Sequence, residues 1–215
     1  MTKLEPEPRP ETPTAPTPPE PFAPAEWQAA VAQPARLLEL LFAQRERFGA
    51  SVARGQELRL PAVLLLGSSV LTALPYGLVL SPQHGYRIAL LFTGSLLLCW
   101  PSLCVFGSYV GCRLRPLQML MLALSIGSIA GLFTFGFFPI LWFLLATMRD
   151  GDLVTGHGAS LALLAIALLA GLAWLLRCLD GTSELCSRGT RWLLLGWQVL
   201  VGFVTLRMAR ALELL

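Results

Sequence analysis

Residues 117–148 read LQMLMLALSIGSIAGLFTFGFFPILWFLLATM, thirty-two residues without a single charge. An α-helix rises about 1.5 Å per residue and a bilayer core is about 30 Å thick, so this run is long enough to cross a membrane and too long for a soluble core helix. Laid out as one straight helix it measures about 48 Å, whereas two spans joined by a turn need roughly 40 residues, so one tilted helix bent at Pro139 fits better. Proline at that depth frees a backbone carbonyl that a nearby Ser or Thr hydroxyl is expected to satisfy. The run also carries a small-residue face around Gly127.

The rest of the chain repeats the pattern. Apolar stretches at 60–80, 88–111, 159–176 and 192–206 flank the long one, and Asp and Glu are absent from their interiors. The chain is 55% hydrophobic and 13% charged, against about 25% charged in soluble domains. The expected fold is all-α: a polytopic transmembrane bundle of about five spans over residues 60–210, with 192–206 the shortest span and open to extension at its ends. Pro61 falls in a tolerated first turn, and Pro75, Pro101 and Pro139 are candidate kinks. These either bend helices around a cavity or are simply tolerated.

Ahead of the bundle the composition changes twice. Residues 1–25 hold nine of the sixteen prolines, interleaved with Thr and Glu, and have little to bury. A disordered tail, partly polyproline II, is expected there. Its Pro13-x-x-Pro16 pattern is what any proline-rich tail produces. Residues 26–58 place Leu37, Leu38, Leu41 and Phe42 at helical spacing after Pro34, with Arg36, Arg45, Arg47, Arg54 and Arg59 around them. An amphipathic juxtamembrane helix is expected, lying in the membrane interface with those arginines toward anionic lipid, or packed on the chain's own bundle or a partner.

Charge gives an independent reading of orientation. With five spans and the N-terminus inside, residues 1–59 and the loops at 112–116 and 177–191 carry 12 of the 16 basic residues, leaving Arg87, Arg149, Arg207 and Arg210 outside. That split follows the positive-inside rule and predicts a cytoplasmic N-terminus and an external C-terminus. Fifteen of the sixteen basic residues are Arg, which points to a GC-rich, bacterial genome and hence to the inner membrane. The first 59 residues hold no signal-peptide core, so the first span is expected to act as an uncleaved anchor. A net charge of +3 gives no footprint for nucleic acid.

Catalytic and transport chemistry find little to work with. No ionisable group falls at mid-span depth, where such groups persist for function. Gln118 and Gln198 are the strongest polar groups in or near spans and are expected to bond between helices. No HExxH, GxSxG or P-loop pattern occurs. Ser68 and Ser125 lack an in-span His to act as base. The five cysteines, at 99, 104, 112, 178 and 186, have no metal-ligand spacing and are expected to be free packing residues, although Cys178 and Cys186 lie within reach across a loop. No enzyme activity, cofactor or metal is expected. Gly107–Gly111 and Gly127–Gly131 have GxxxG spacing, which serves close packing within the monomer or contact with a second copy or another membrane protein.

Taken together, Pro101, Val105, Phe106, Gly111, Leu114, Gln118 and Pro139 carry a resemblance. The chain resembles, over roughly residues 35–210, a group of uncharacterised five-span bacterial membrane proteins, some labelled actin-binding, and is more distantly similar to Yip-type five-span proteins of vesicle traffic. The resemblance implies topology and supplies no activity. Two functions follow as expectations. One is a non-enzymatic accessory, scaffold or membrane-organising subunit acting through its cytoplasmic N-terminal region, with the lipid bilayer, a protein partner or a second copy as its contacts. The other is a small permease or channel subunit.

Overall fold

A computed structural model describes residues 20–55, 58–80, 85–110, 114–147, 153–180 and 188–212. Its elements are eight α-helices: α1 (Pro24–Ala32), α2 (Pro34–Phe42), α3 (Arg45–Arg54), α4 (Arg59–Leu80), α5 (Tyr86–Tyr109), α6 (Pro116–Thr147), α7 (Leu153–Asp180) and α8 (Arg188–Ala211). There is no strand among the described residues. Five of the helices, α4 to α8, contain stretches long and apolar enough to cross a membrane, and the chain is an integral membrane protein.

The long chargeless run is one helix. α6 starts with proline at its first position, where the missing N–H costs nothing, and continues through Pro139 without a break. Thr134 directs its hydroxyl to the Gly131 carbonyl, 2.7 Å away, rather than to the carbonyl that Pro139 frees one turn back at Phe135. Pro75 and Pro101 likewise lie inside continuous helices. The last two helices outrun their apolar stretches. α7 begins at Leu153, inside the segment read from sequence as a polar loop, and α8 extends from Arg188 to Ala211 around the shortest span. Hydropathy marks the part of a helix that sits in lipid, while backbone hydrogen bonding carries the helix on into its polar ends.

α6 is the centre of the bundle. It packs most extensively on α4, then on α7 and α5, while α8 attaches mainly through α5. The α4–α6 contact depends on missing side chains. A Cβ on Gly127 would stand 2.8 Å from Ser69 Oγ and 2.9 Å from Leu96, and one on Gly131 would collide with Thr72 Oγ1. With only hydrogen there, the two backbones approach closely enough for Ser128 Oγ to donate to the Leu65 carbonyl at 2.7 Å. On another face of α6 a Cβ on Gly171 of α7 would meet the Ile126 carbonyl at 2.7 Å. Gly127 and Gly131 therefore serve packing within the chain. Gly107 is buried in α5, and its spacing partner Gly111 lies outside the described residues.

Further bonds pin the helices to each other. Tyr76 of α4 donates to the Ser160 carbonyl of α7 at 2.7 Å, and Trp197 of α8 donates to the Cys99 carbonyl of α5 at 3.0 Å. Gln198 Nε2 of α8 reaches the Leu172 carbonyl of α7 at 3.2 Å. Each is a single donor meeting a helix carbonyl in a medium that offers no water.

Candidate functional site

The segment read from sequence as one amphipathic helix is three short ones, α1 to α3, which form a collar on one end of the bundle. α1 opens at Pro24, and the Glu26 carboxylate reaches back to the Ala23 N–H at 2.7 Å, satisfying a donor that the first helical turn leaves over. α2 opens at Pro34. α3 closes at Gly55, whose φ of 67° is the left-handed conformation glycine adopts without strain. Residues 1–19 of the expected tail lie outside the described residues. Phe22, which the sequence reading also assigns to the tail, is buried.

An aromatic chain joins the collar to the bundle. Phe22 meets Trp27 edge-on with centroids 5.4 Å apart, Trp27 meets Phe48 at 6.5 Å, and Phe48 meets Trp174 of α7 at 5.5 Å. Leu37, Leu40, Leu41 and Val52 are buried in the same cluster. Three bundle side chains then donate to collar carbonyls. Trp174 Nε1 bonds Leu41 at 3.1 Å, the Cys178 thiol contacts Arg45 at 3.5 Å, and Gln118 Nε2 bonds both Val52 at 2.6 Å and Ala53 at 2.9 Å. The carbonyl oxygen of the Gln118 amide accepts the Arg115 N–H at 2.5 Å, so both ends of one side chain are used. Val52 and Ala53 are in the last turn of α3, where carbonyls lack helical partners, and Gln118 replaces those partners. Gly55 has a second reason to be glycine: a Cβ there would stand 2.8 Å from Gln118 Nε2.

The five arginines divide into two kinds. Arg47 is half-buried and holds the collar together. It contacts both Glu26 carboxylate oxygens at 3.2 Å, the Gln44 side chain at 2.6 Å and the Glu20 carbonyl at 3.1 Å, and its guanidinium lies 4.7 Å from the centre of the Phe22 ring. Ser51 adds to this corner by accepting the Phe22 N–H and donating to the Arg47 carbonyl. Arg36, Arg45, Arg54 and Arg59 are exposed. So are Val31 and Phe42, which put apolar surface among those charges.

Two of the hollows among the described residues have mostly apolar walls. One, of about 350 Å³, lies under the collar between Phe22, Trp27, Arg54, Leu58 and Met121. The other is a groove of about 700 Å³ between α7 and α8, lined by Leu168, Leu172, Trp192, Val199 and their neighbours. Pro75, Pro101 and Pro139 line neither. Among the described residues no three His, Cys, Asp or Glu side chains stand close enough to share a metal ion.

Sequence reasoning found the polar importance of Gln118 and Gln198 but not the roles of Trp27 and Trp174. A tryptophan near the end of an apolar run is the available signal, since its indole N–H requires an acceptor when buried. No family model matches the chain, and no curated protein or solved structure does either.

Proposed function

We propose that the chain is a non-enzymatic accessory or membrane-organising subunit of a bacterial inner membrane, working through a collar on the cytoplasmic side. One observation carries the reading: the collar is fastened to the bundle by backbone carbonyls and buried aromatics, leaving Arg36, Arg45, Arg54 and Arg59 exposed. A segment held this way can present charge to a partner or to anionic headgroups without losing its fold. The 12:4 distribution of basic residues supports a cytoplasmic collar, and five spans then put the C-terminus outside. The resemblance to the five-span bacterial group belongs to the same proposal and adds topology alone. Against a permease stands the packing of the central helix, where Ser125, Ser128 and Thr134 give their hydroxyls to backbone carbonyls around close glycine contacts.

The test is gentle-detergent purification of the tagged full-length protein from its native membrane, with mass spectrometry of what accompanies it. A stoichiometric partner is expected, and it is expected to be lost when Arg36, Arg45 and Arg59 are changed together to Gln. Recovery of the protein alone overturns the accessory role. Solute flux through liposomes holding only this protein transfers the weight to a permease. A reporter fused at the C-terminus that is active only outside the cytoplasm checks the orientation.

A further inference from the structure

The hollow under the collar has a chemistry of its own. Its walls are Phe22, Trp27, Leu58 and Met121, all buried, with Met121 fully so. Among the described residues that line it none is acidic, and the single charge is Arg54, which is exposed. Arg54 is not needed to finish its own helix: Gln118 already bonds the Val52 and Ala53 carbonyls, and the Gly55 N–H bonds the Ser51 carbonyl. The Ser51 hydroxyl is likewise occupied as both donor and acceptor. Among the described lining side chains the cation is thus the one polar group left to bind something.

Depth gives the second half of the argument. Met121 stands five residues into α6, about 8 Å below its start, while Leu58 immediately precedes α4. The hollow therefore runs from a charge at the polar end of the bundle into the first turns of its apolar layer. A volume of about 350 Å³ is at the small end of ligand pockets, which start near 300 Å³.

We propose that this hollow seats one anionic amphiphile, with the anionic head on Arg54 and the first part of its alkyl chain against Phe22, Trp27 and Leu58, above a floor closed by Met121. The seat rests on the reading of the collar as lying at the membrane surface, and it narrows that reading from general attraction by four arginines to one stoichiometric site. The same chemistry is offered by an anionic phospholipid of the bilayer and by a free long-chain carboxylate.

Native mass spectrometry of the full chain, released from neutral detergent, separates the cases. Phosphatidylglycerol, phosphatidylcholine of the same chains, and oleate are added one at a time and then in competition. One phosphatidylglycerol per chain is expected, retained about tenfold over phosphatidylcholine. Arg54→Gln is expected to erase that preference, Arg54→Lys to restore most of it, and Arg210→Gln, in the last turn of α8, to leave it unchanged. Displacement of phosphatidylglycerol by oleate assigns the seat to a free fatty acid, and resistance to displacement assigns it to bilayer lipid. Preference that survives Arg54→Gln overturns the seat. Equal losses in Arg54→Gln and Arg210→Gln overturn it as an effect of net charge while leaving the surface reading intact, and equal uptake of both phospholipids by the unaltered protein overturns both.

Discussion

The two halves of α6 are almost equally apolar and are used in opposite ways. From Gln118 to Gly131 every residue except Leu120 is buried, whichever side of the helix it occupies, whereas beyond Gly131 only Thr134 and Leu141 are. The inner half holds Ala123, Ser125, Gly127, Ser128, Ala130 and Gly131 and no aromatic residue. The outer half holds five Phe and Trp142, with Phe135, Trp142 and Phe143 all exposed. In a membrane, burial in protein and burial in lipid are equally apolar, so hydrophobicity does not choose between them. Side-chain size does. Small residues let α4 and α7 approach closely, and bulky aromatics keep neighbours away and fill space in lipid.

The comparison breaks first at its glycines. Gly131→Leu drives a side chain into Thr72 and Ser69 of α4 and is expected to destabilise the bundle by about 3 kcal/mol. At Gly136, five residues on, a Cβ meets nothing within 4 Å, and Gly136→Leu is expected to be neutral or slightly stabilising through helix propensity. Thermal unfolding of the two variants in detergent checks the pair, and similar losses would mean that size is not the sorting rule. Ile129→Ala removes a fully buried side chain and is expected to cost about 2 kcal/mol, against less than about 0.5 kcal/mol for the larger truncation Phe143→Ala. The same melts read both.

Gln118→Leu tests whether the inner half also fastens the collar. It leaves the Val52 and Ala53 carbonyls without their donor, so a loss of about 1–2 kcal/mol is expected. Faster limited proteolysis between α3 and α4 should accompany it, with the far end of the bundle unaffected. Ser128→Ala is the smallest change. It removes one bond to the Leu65 carbonyl while keeping the close approach of the helices, and about 0.6 kcal/mol is expected. A much larger loss would assign the α4–α6 contact to hydrogen bonding rather than to shape.

These differences bear on what can be read from residues alone. Five spans, one unbroken third helix and the bonding role of Gln118 and Gln198 were legible, because length, charge exclusion and an isolated amide in an apolar run each have few physical solutions. The GxxxG spacing at Gly127 was legible as a contact but not as to its partner, since Ser69 and Thr72 carry no mark that distinguishes them from other small residues. The collar was read as one amphipathic helix because its apolar residues recur at helical spacing. The break at Pro34 was marked by the proline, whereas the break at Gln44 and the burial of Phe22 and Trp27, which pack on each other and on Phe48, follow from how the short helices fold onto one another. The five arginines looked alike in sequence, and only the position of Glu26 and Phe22 sets Arg47 apart.

The fastening of the collar also sets an order of events during synthesis. Its last helix is held by Gln118, 65 residues further on, and its second by Trp174, 133 residues further on. At roughly 5–20 residues per second, the collar waits on the order of ten seconds after it is made before its final docking partner exists. During that interval Phe22, Trp27 and Phe48 lack the bundle surface that will cover them, and the third and fourth spans must enter the membrane before the first helices can settle. The collar is made before every span and completed only once the fourth is in place.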